Sequence, residues 1–221
     1  MSERVAYTPP VHDLWRNSTK CCTAILISGI LFLVCQDRVW SADLVHGDRE
    51  RGRRLFESKG CIECHVPPGK PKEVGPPLAE LQRKQGIYEL AGRWWNHVPA
   101  MQKEFSQRGK SWPTLSIQEV ADLAAWLMAR QNADPPGNEA KGRVLLLKKG
   151  CLKCHALFGD GNRVGPDLST YPNYNSPLEW AASVWNHAPK MRAKAEELDI
   201  EYPRFEAHEM VDLVEFLKLS Q

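Results

Sequence analysis

Sliding the 221-residue chain along itself by ninety positions brings Cys61-Ile62-Glu63-Cys64-His65 onto Cys151-Leu152-Lys153-Cys154-His155, and the rest stays in step without a gap. Gly52 falls on Gly142, Leu55 on Leu145, Gly60 on Gly150, and Gly75-Pro76 with Leu78 on Gly165-Pro166 with Leu168. Further on, Trp95-Asn96-His97-x-Pro99-x-Met101 falls on Trp185-Asn186-His187-x-Pro189-x-Met191, and Asp122-Leu123 with Leu127 on Asp212-Leu213 with Leu217. About 26 of the 81 pairs between Gly47 and Leu127 are identical, which reads as a duplicated unit. Asn132-Ala-Asp-Pro-Pro-Gly-Asn138 stops the preceding helix and disfavours another. The predicted organisation is a leader over 1–43, one copy over 44–130, a linker over 131–138 and a second copy over 139–221. A copy of about 85 residues buries only about 60–65% of its unfolded surface, so something inside each copy should add apolar contact.

Each copy reads as three helices. The first precedes the Cys motif and places Gly52 and Phe56 on one face, with Gly142 and Leu146 in the second copy. The second spans about Ile87 to His97, and about Leu178 to His187. The last opens at Ser116 with Glu119 three residues on, a capping box, followed by Val120, Leu123, Ala124 and Leu127 at helical spacing. Between the first two lie Pro67, Pro68, Gly69, Pro71, Gly75, Pro76 and Pro77, a loop wrapped around something; no run alternates long enough for a strand. The fold class is therefore all-α.

Cys-x-x-Cys-His has three chemical readings. Zinc would need two pairs separated by ninety residues to converge, a poor ribbon. A thioredoxin-like pair lacks its strand-turn-helix context and needs no His after the second Cys. Covalent haem attachment fits: Cys61 and Cys64, and Cys151 and Cys154, are spaced to reach two vinyl groups of one porphyrin, which brings the imidazole of His65 or His155 under the iron. Trp94, Trp95, Trp112 and Trp126, with Trp185 repeating Trp95, are then expected to pack on the porphyrin and the helix crossing.

On these motifs both copies resemble class I cytochrome c domains, and residues from about 44 to 221 are similar to tandem dihaem cytochromes c. The resemblance implies two covalently bound haem c groups. It implies that Gly52, Phe56 and Trp126 serve a close crossing of first and last helices, with a looser one in the second copy, where Leu146 replaces the usual aromatic. It also implies that Pro76 and Pro166 offer backbone carbonyls to His65 and His155, fixing the imidazole tautomer. For the sixth iron ligand it points to Met101 and Met191, with His97 and His187 as the alternative, since each pair falls on one face of a continued helix. His/Met ligation favours reduced iron and a higher potential. His12, His46 and His208 have no repeat partner and read as surface residues.

Residues 21–35, CCTAILISGILFLVC, form an uncharged run behind Arg16 and Lys20. As a helix it would measure about 22 Å, short of the roughly 30 Å hydrocarbon layer, so a signal-peptide core cleaved near Ser41 or Ala42 is the first reading and a retained, tilted anchor the second. Both place the remainder on the periplasmic side.

Lys and Arg number 29 against 27 Asp and Glu, a net of +2, so no charge excess favours nucleic acid. Residues 44–130 hold 14 basic and 10 acidic side chains and residues 136–221 hold 11 and 12, giving +4 and −1. The cluster Arg49, Arg51, Arg53 and Arg54 is an expected steering patch for an acidic partner. With both irons filled by protein ligands, the available chemistry is outer-sphere electron transfer between a redox donor and acceptor rather than enzymatic turnover. The alternatives are an anchored subunit of a membrane respiratory complex and a dihaem peroxidase-like enzyme, which would need a displaceable ligand.

Overall fold

A computed structural model gives the fold and describes residues 22–27, 30–35, 46–66, 74–78, 85–128, 133–206 and 208–220. The leader's flanks, Pro67, Pro68, Gly69 and Pro71 of the predicted loop, and the first two linker positions lie outside the described residues. Within the apolar run, β1 (Cys22–Ile27) pairs antiparallel with β2 (Ile30–Cys35), Cys22 opposite Cys35 and Ile27 opposite Ile30. The described residues of this run thus form strands where a helix is expected, in keeping with the β-branched and aromatic content of the two segments. Among the described residues no helix is long and apolar enough to cross a membrane.

Val45–Gln221 forms one compact unit. Its helices are α1 (Arg49–Ser58), α2 (Ile87–Gln107), α3 (Ile117–Leu127), α4 (Glu139–Lys148), α5 (Pro177–Glu197) and α6 (Glu209–Lys218). The α3 capping box forms: Ser116 Oγ accepts from the Glu119 N–H, and a Glu119 carboxylate oxygen accepts from the Ser116 N–H. Asp134, in the linker, caps α2 by accepting from the N–H groups of Tyr88 and Glu89, both at 3.0 Å. Two two-residue strands, β3 (Ala156–Leu157) and β4 (Asp160–Gly161), correct the expectation of none; Asp167 holds their turn by accepting from the Phe158 and Gly159 N–H groups.

Helix α1 crosses α3 and α4 crosses α6 at glycines. A Cβ on Gly52 would lie 1.9 Å from the Asp122 carbonyl oxygen, and one on Gly142 would lie 2.1 Å from that of Asp212. The second crossing is therefore as close as the first, contrary to expectation. The aromatic comes from the opposite helix in both: Trp126 Cβ stands 2.8 Å from the first Cβ position and Phe216 Cβ 2.7 Å from the second. Leu146 is 2% exposed and Phe56 5%, so the leucine fills its site.

Helices α2 and α5 each run 21 residues, past the predicted ends at His97 and His187 and straight through Pro99 and Pro189. A proline removes one N–H and strands the carbonyl four residues earlier. Here those carbonyls belong to Trp95 and Trp185, and both find donors: Tyr202 OH at 3.5 Å and Trp112 Nε1 at 3.2 Å. The helices continue because their orphaned acceptors are satisfied by side chains from the opposite copy.

That contact is part of a reciprocal set. Trp95 Nε1 donates to Pro203 O at 2.6 Å and Trp185 Nε1 to Pro113 O at 2.7 Å. Asn96 pairs with the backbone of Phe205, donating to its O at 2.5 Å and accepting from its N–H at 2.8 Å; Asn186 does the same to Leu115, at 2.7 and 2.9 Å. Trp95 stacks on Tyr202 with centroids 4.8 Å apart, and Trp185 on Trp112 at 4.6 Å. Every member is displaced by ninety positions from its counterpart. The hydrophobic core is continuous across this contact, joining Trp95 and Val98 to Trp185, Phe205 and Met210.

Candidate functional site

Both Cys motifs are built in one way. A glycine in the left-handed region, Gly60 with φ 79° or Gly150 with φ 71°, turns the chain out of the first helix into a single 3-10 turn holding the two cysteines. The His65 and His155 N–H groups both close onto the first Cys carbonyl at 2.9 Å. The Gly75 N–H bonds to Cys64 O at 3.0 Å, and the Gly165 N–H to Cys154 O at 2.7 Å, bringing the Gly-Pro segment back beneath the imidazole. His65 Nδ1 lies 2.9 Å from Pro76 O, and His155 Nδ1 2.9 Å from Pro166 O. With Nδ1 donating to a carbonyl, Nε2 is left as the lone-pair nitrogen suited to a metal. A Cβ on Gly75 or Gly165 would lie 2.5 Å from the His Cε1, so only glycine lets the segment come this close.

The four cysteines are free thiols. Burial pushes Cys61 and Cys151 up to about 11, which keeps them protonated at neutral pH. Redox-active Cys-x-x-Cys pairs work in the opposite direction, with a lowered thiol pKa.

Beside Cys151, Cys154 and His155 opens a cavity of about 1110 Å³. Pro166, Leu168, Tyr171, Tyr174, Trp180 and Leu213 line it, a largely apolar set of the kind that holds a flat hydrophobic cofactor. Trp180 Nε1 and a Glu179 carboxylate oxygen are buried with no protein partner. The indole N–H is a donor that a carboxylate on a bound macrocycle would satisfy. The residues present therefore fit a thioether-bound porphyrin: Cys151 and Cys154 would hold it, His155 would ligate the iron, and the group would supply a one-electron Fe(III)/Fe(II) couple.

His187 and Met191, four residues apart on α5, both line this cavity. Met191 is half-buried and His187 exposed; Met101 and His97 repeat that contrast on α2. Although His187 as a whole is exposed, partial desolvation of its ring, with the nearby His155 and Lys190, lowers its pKa. Trp95 lines the cavity beside Cys151, Cys154 and His155, next to Tyr202 and Phe205. Trp185 stacks on Trp112 and meets Trp94 edge-on at 5.1 Å. Tyr171, Tyr174 and Trp180 were not singled out from sequence: their counterparts ninety positions earlier are Leu81, Lys84 and Leu90, so the repeat gave no signal.

The arginine cluster is neutralised locally. Arg51 bonds Asp122, Arg53 bonds Glu50 and Glu57, and Arg54 bonds Glu50, while Arg49 lies 5.3 Å over the Trp126 ring. His208, read as a plain surface residue, places Nδ1 2.6 Å from a Glu89 carboxylate oxygen.

Residues 49–131 match the family model described as Cytochrome c. No curated protein and no solved structure matches the chain. The family match covers the first copy, so residues 49–131 are similar to cytochrome c domains, a likeness that supports covalently bound haem c and a haem-based electron-transfer function.

Proposed function

We propose that the chain is a dihaem c-type cytochrome that carries single electrons between a redox donor and acceptor on the periplasmic side. One observation carries the reading: the Cys-x-x-Cys-His turn, with His Nδ1 2.9 Å from a proline carbonyl, recurs at Cys151–His155, outside the matched residues and beside a cavity of cofactor size. Met101 and Met191 supply the sixth ligands, supported by their burial relative to His97 and His187. His65 and Met101, and His155 and Met191, would hold the iron of a group that supplies one-electron transfer, so the task of this chain is to fix those ligands and exclude water. Export follows from family chemistry, in which the thioether links are completed outside the cytoplasm, and residues 21–35 provide an apolar leader.

Intact mass of protein matured in a host competent for haem attachment tests the reading. Two haem additions are expected, falling to one in the double variant Cys151→Ala, Cys154→Ala. A single addition in the unaltered chain refutes the dihaem state. Near-infrared and low-temperature magnetic spectra then separate His/Met from His/His ligation, and N-terminal sequencing separates a cleaved leader from an anchor.

A further inference from the structure

We infer that the second haem pocket is completed in trans: the first copy supplies a wall through Trp95 and Leu115–Ile117, and Asn186 is the positioning residue that registers this wall with the helix bearing His187 and Met191. The inference rests on the dihaem reading and adds which residues build one of the two sites. Trp95, Leu115, Ser116 and Ile117 all line the cavity beside Cys151, Cys154 and His155, yet belong to α2 and to the segment that leads into α3.

The joint is rigid for a chemical reason. A primary amide that donates to and accepts from one backbone residue fixes distance and rotation together, where a single bond would pivot. Asn186 does this to Leu115 at 2.7 and 2.9 Å, and Leu115 is 4% exposed. The loop is also held from behind, because Lys59 Nζ donates to Thr114 O at 2.9 Å and pairs with Glu119 at 2.7 Å. On α5, Trp185 and Asn186 grip the first copy, His187 follows directly, and Met191 lies one turn on. Pro189 has removed a bond from this helix, so its bearing over the cavity depends on what grips it. The mirror arrangement joins Asn96 to Phe205 and governs α2, which carries His97 and Met101.

The test uses full-length holoprotein carrying Asn186→Leu, which keeps the volume and removes both bonds. Carbon monoxide should bind the ferrous haem on Cys151 and Cys154 about tenfold faster, as loss of two hydrogen bonds implies, and that haem should gain a high-spin ferric signal while the other is unmoved. Asn96→Leu should move the other haem instead. Unchanged carbon monoxide rate and spin state in a folded Asn186→Leu protein, even one with a lowered melting temperature, overturns the inference, as does an equal change in both haems. If that variant does not mature, Ile117→Ala, on the wall but outside the amide pair, should shift the paramagnetic NMR resonances of the second haem; unmoved resonances overturn the inference. Two haems by intact mass with these nulls removes this inference alone, whereas one haem removes the dihaem reading beneath it.

Discussion

At the first helix crossing Arg51 reaches Asp122 through two bonds of 2.9 Å; at the second, Lys141 stands in that place and Asp212 accepts from the Asn138 N–H at 2.7 Å. On the outer face Arg54 and Glu57 give way to Val144 and Leu147, which are 47% and 61% exposed. Around the cavity beside Cys151, Leu90 becomes Trp180 and the aromatic trio with Tyr171 and Tyr174 appears. Against these differences, the Cys-x-x-Cys-His turn, the Gly-Pro segment and the Trp-Asn-His-x-Pro-x-Met stretch are the same in both. Identity persists at the Cys motif, at the glycine crossings and at Trp-Asn on α2 and α5, whereas the residues that Trp-Asn grips differ, Tyr202 and Phe205 on one side against Trp112 and Leu115 on the other.

The comparison is broken most sharply at the glycine crossings. Gly52→Val and Gly142→Val should each cost about 3 kcal/mol or more, in equal measure, because both force apart helices already touching through backbone; denaturant unfolding of the two variants checks the equality. Next, Asp122→Ala should cost about 2 kcal/mol, leaving Arg51 and the Asp48 N–H without their buried acceptor, and Asp212→Ala about half as much. A shift in denaturation midpoint that is the same for both would contradict the asymmetry.

The Asp122 carboxyl sharpens the contrast through pH. Burial alone would raise its pKa, but the Arg51 guanidinium, the Asp48 N–H and Gln118 hold it below the ordinary value. A depressed folded-state pKa stabilises above the unfolded value of about 4, and that contribution is lost as pH falls through the folded value. Asp122→Asn should therefore flatten the acid limb of a stability-against-pH curve below about pH 4. Smallest of all, Val144→Arg with Leu147→Glu, which writes the first copy's outer face onto the second, should change stability by less than about 0.5 kcal/mol. Thermal melts would show a larger change if that face were packed.

Much of the fold was legible because the repeat kept helix faces, caps and motif in register. Ser116 and Glu119 announced their role through spacing, and the resemblance to class I cytochrome c domains gave that of Gly52 and, by register, Gly142. The length of α2 and α5 was not legible, since proline ordinarily ends a helix; only the arrival of Trp112 and Tyr202 at the freed carbonyls permits continuation, and that is a fact of tertiary arrangement. Recurrence of Trp95 and Asn96 likewise marked them as important without saying toward which copy they face. Leu146 misled for a related reason: the aromatic that matters at its crossing, Phe216, arrives from another helix.

A proline in mid-helix is ordinarily a fault line, yet here each fault is a socket, and the two sockets are filled crosswise. A protease that nicks the peptide between 131 and 138 should leave both fragments mated, eluting together on gel filtration until denaturant parts them. Covalent continuity would then matter for synthesis in equal numbers, and the grip itself would survive the cut.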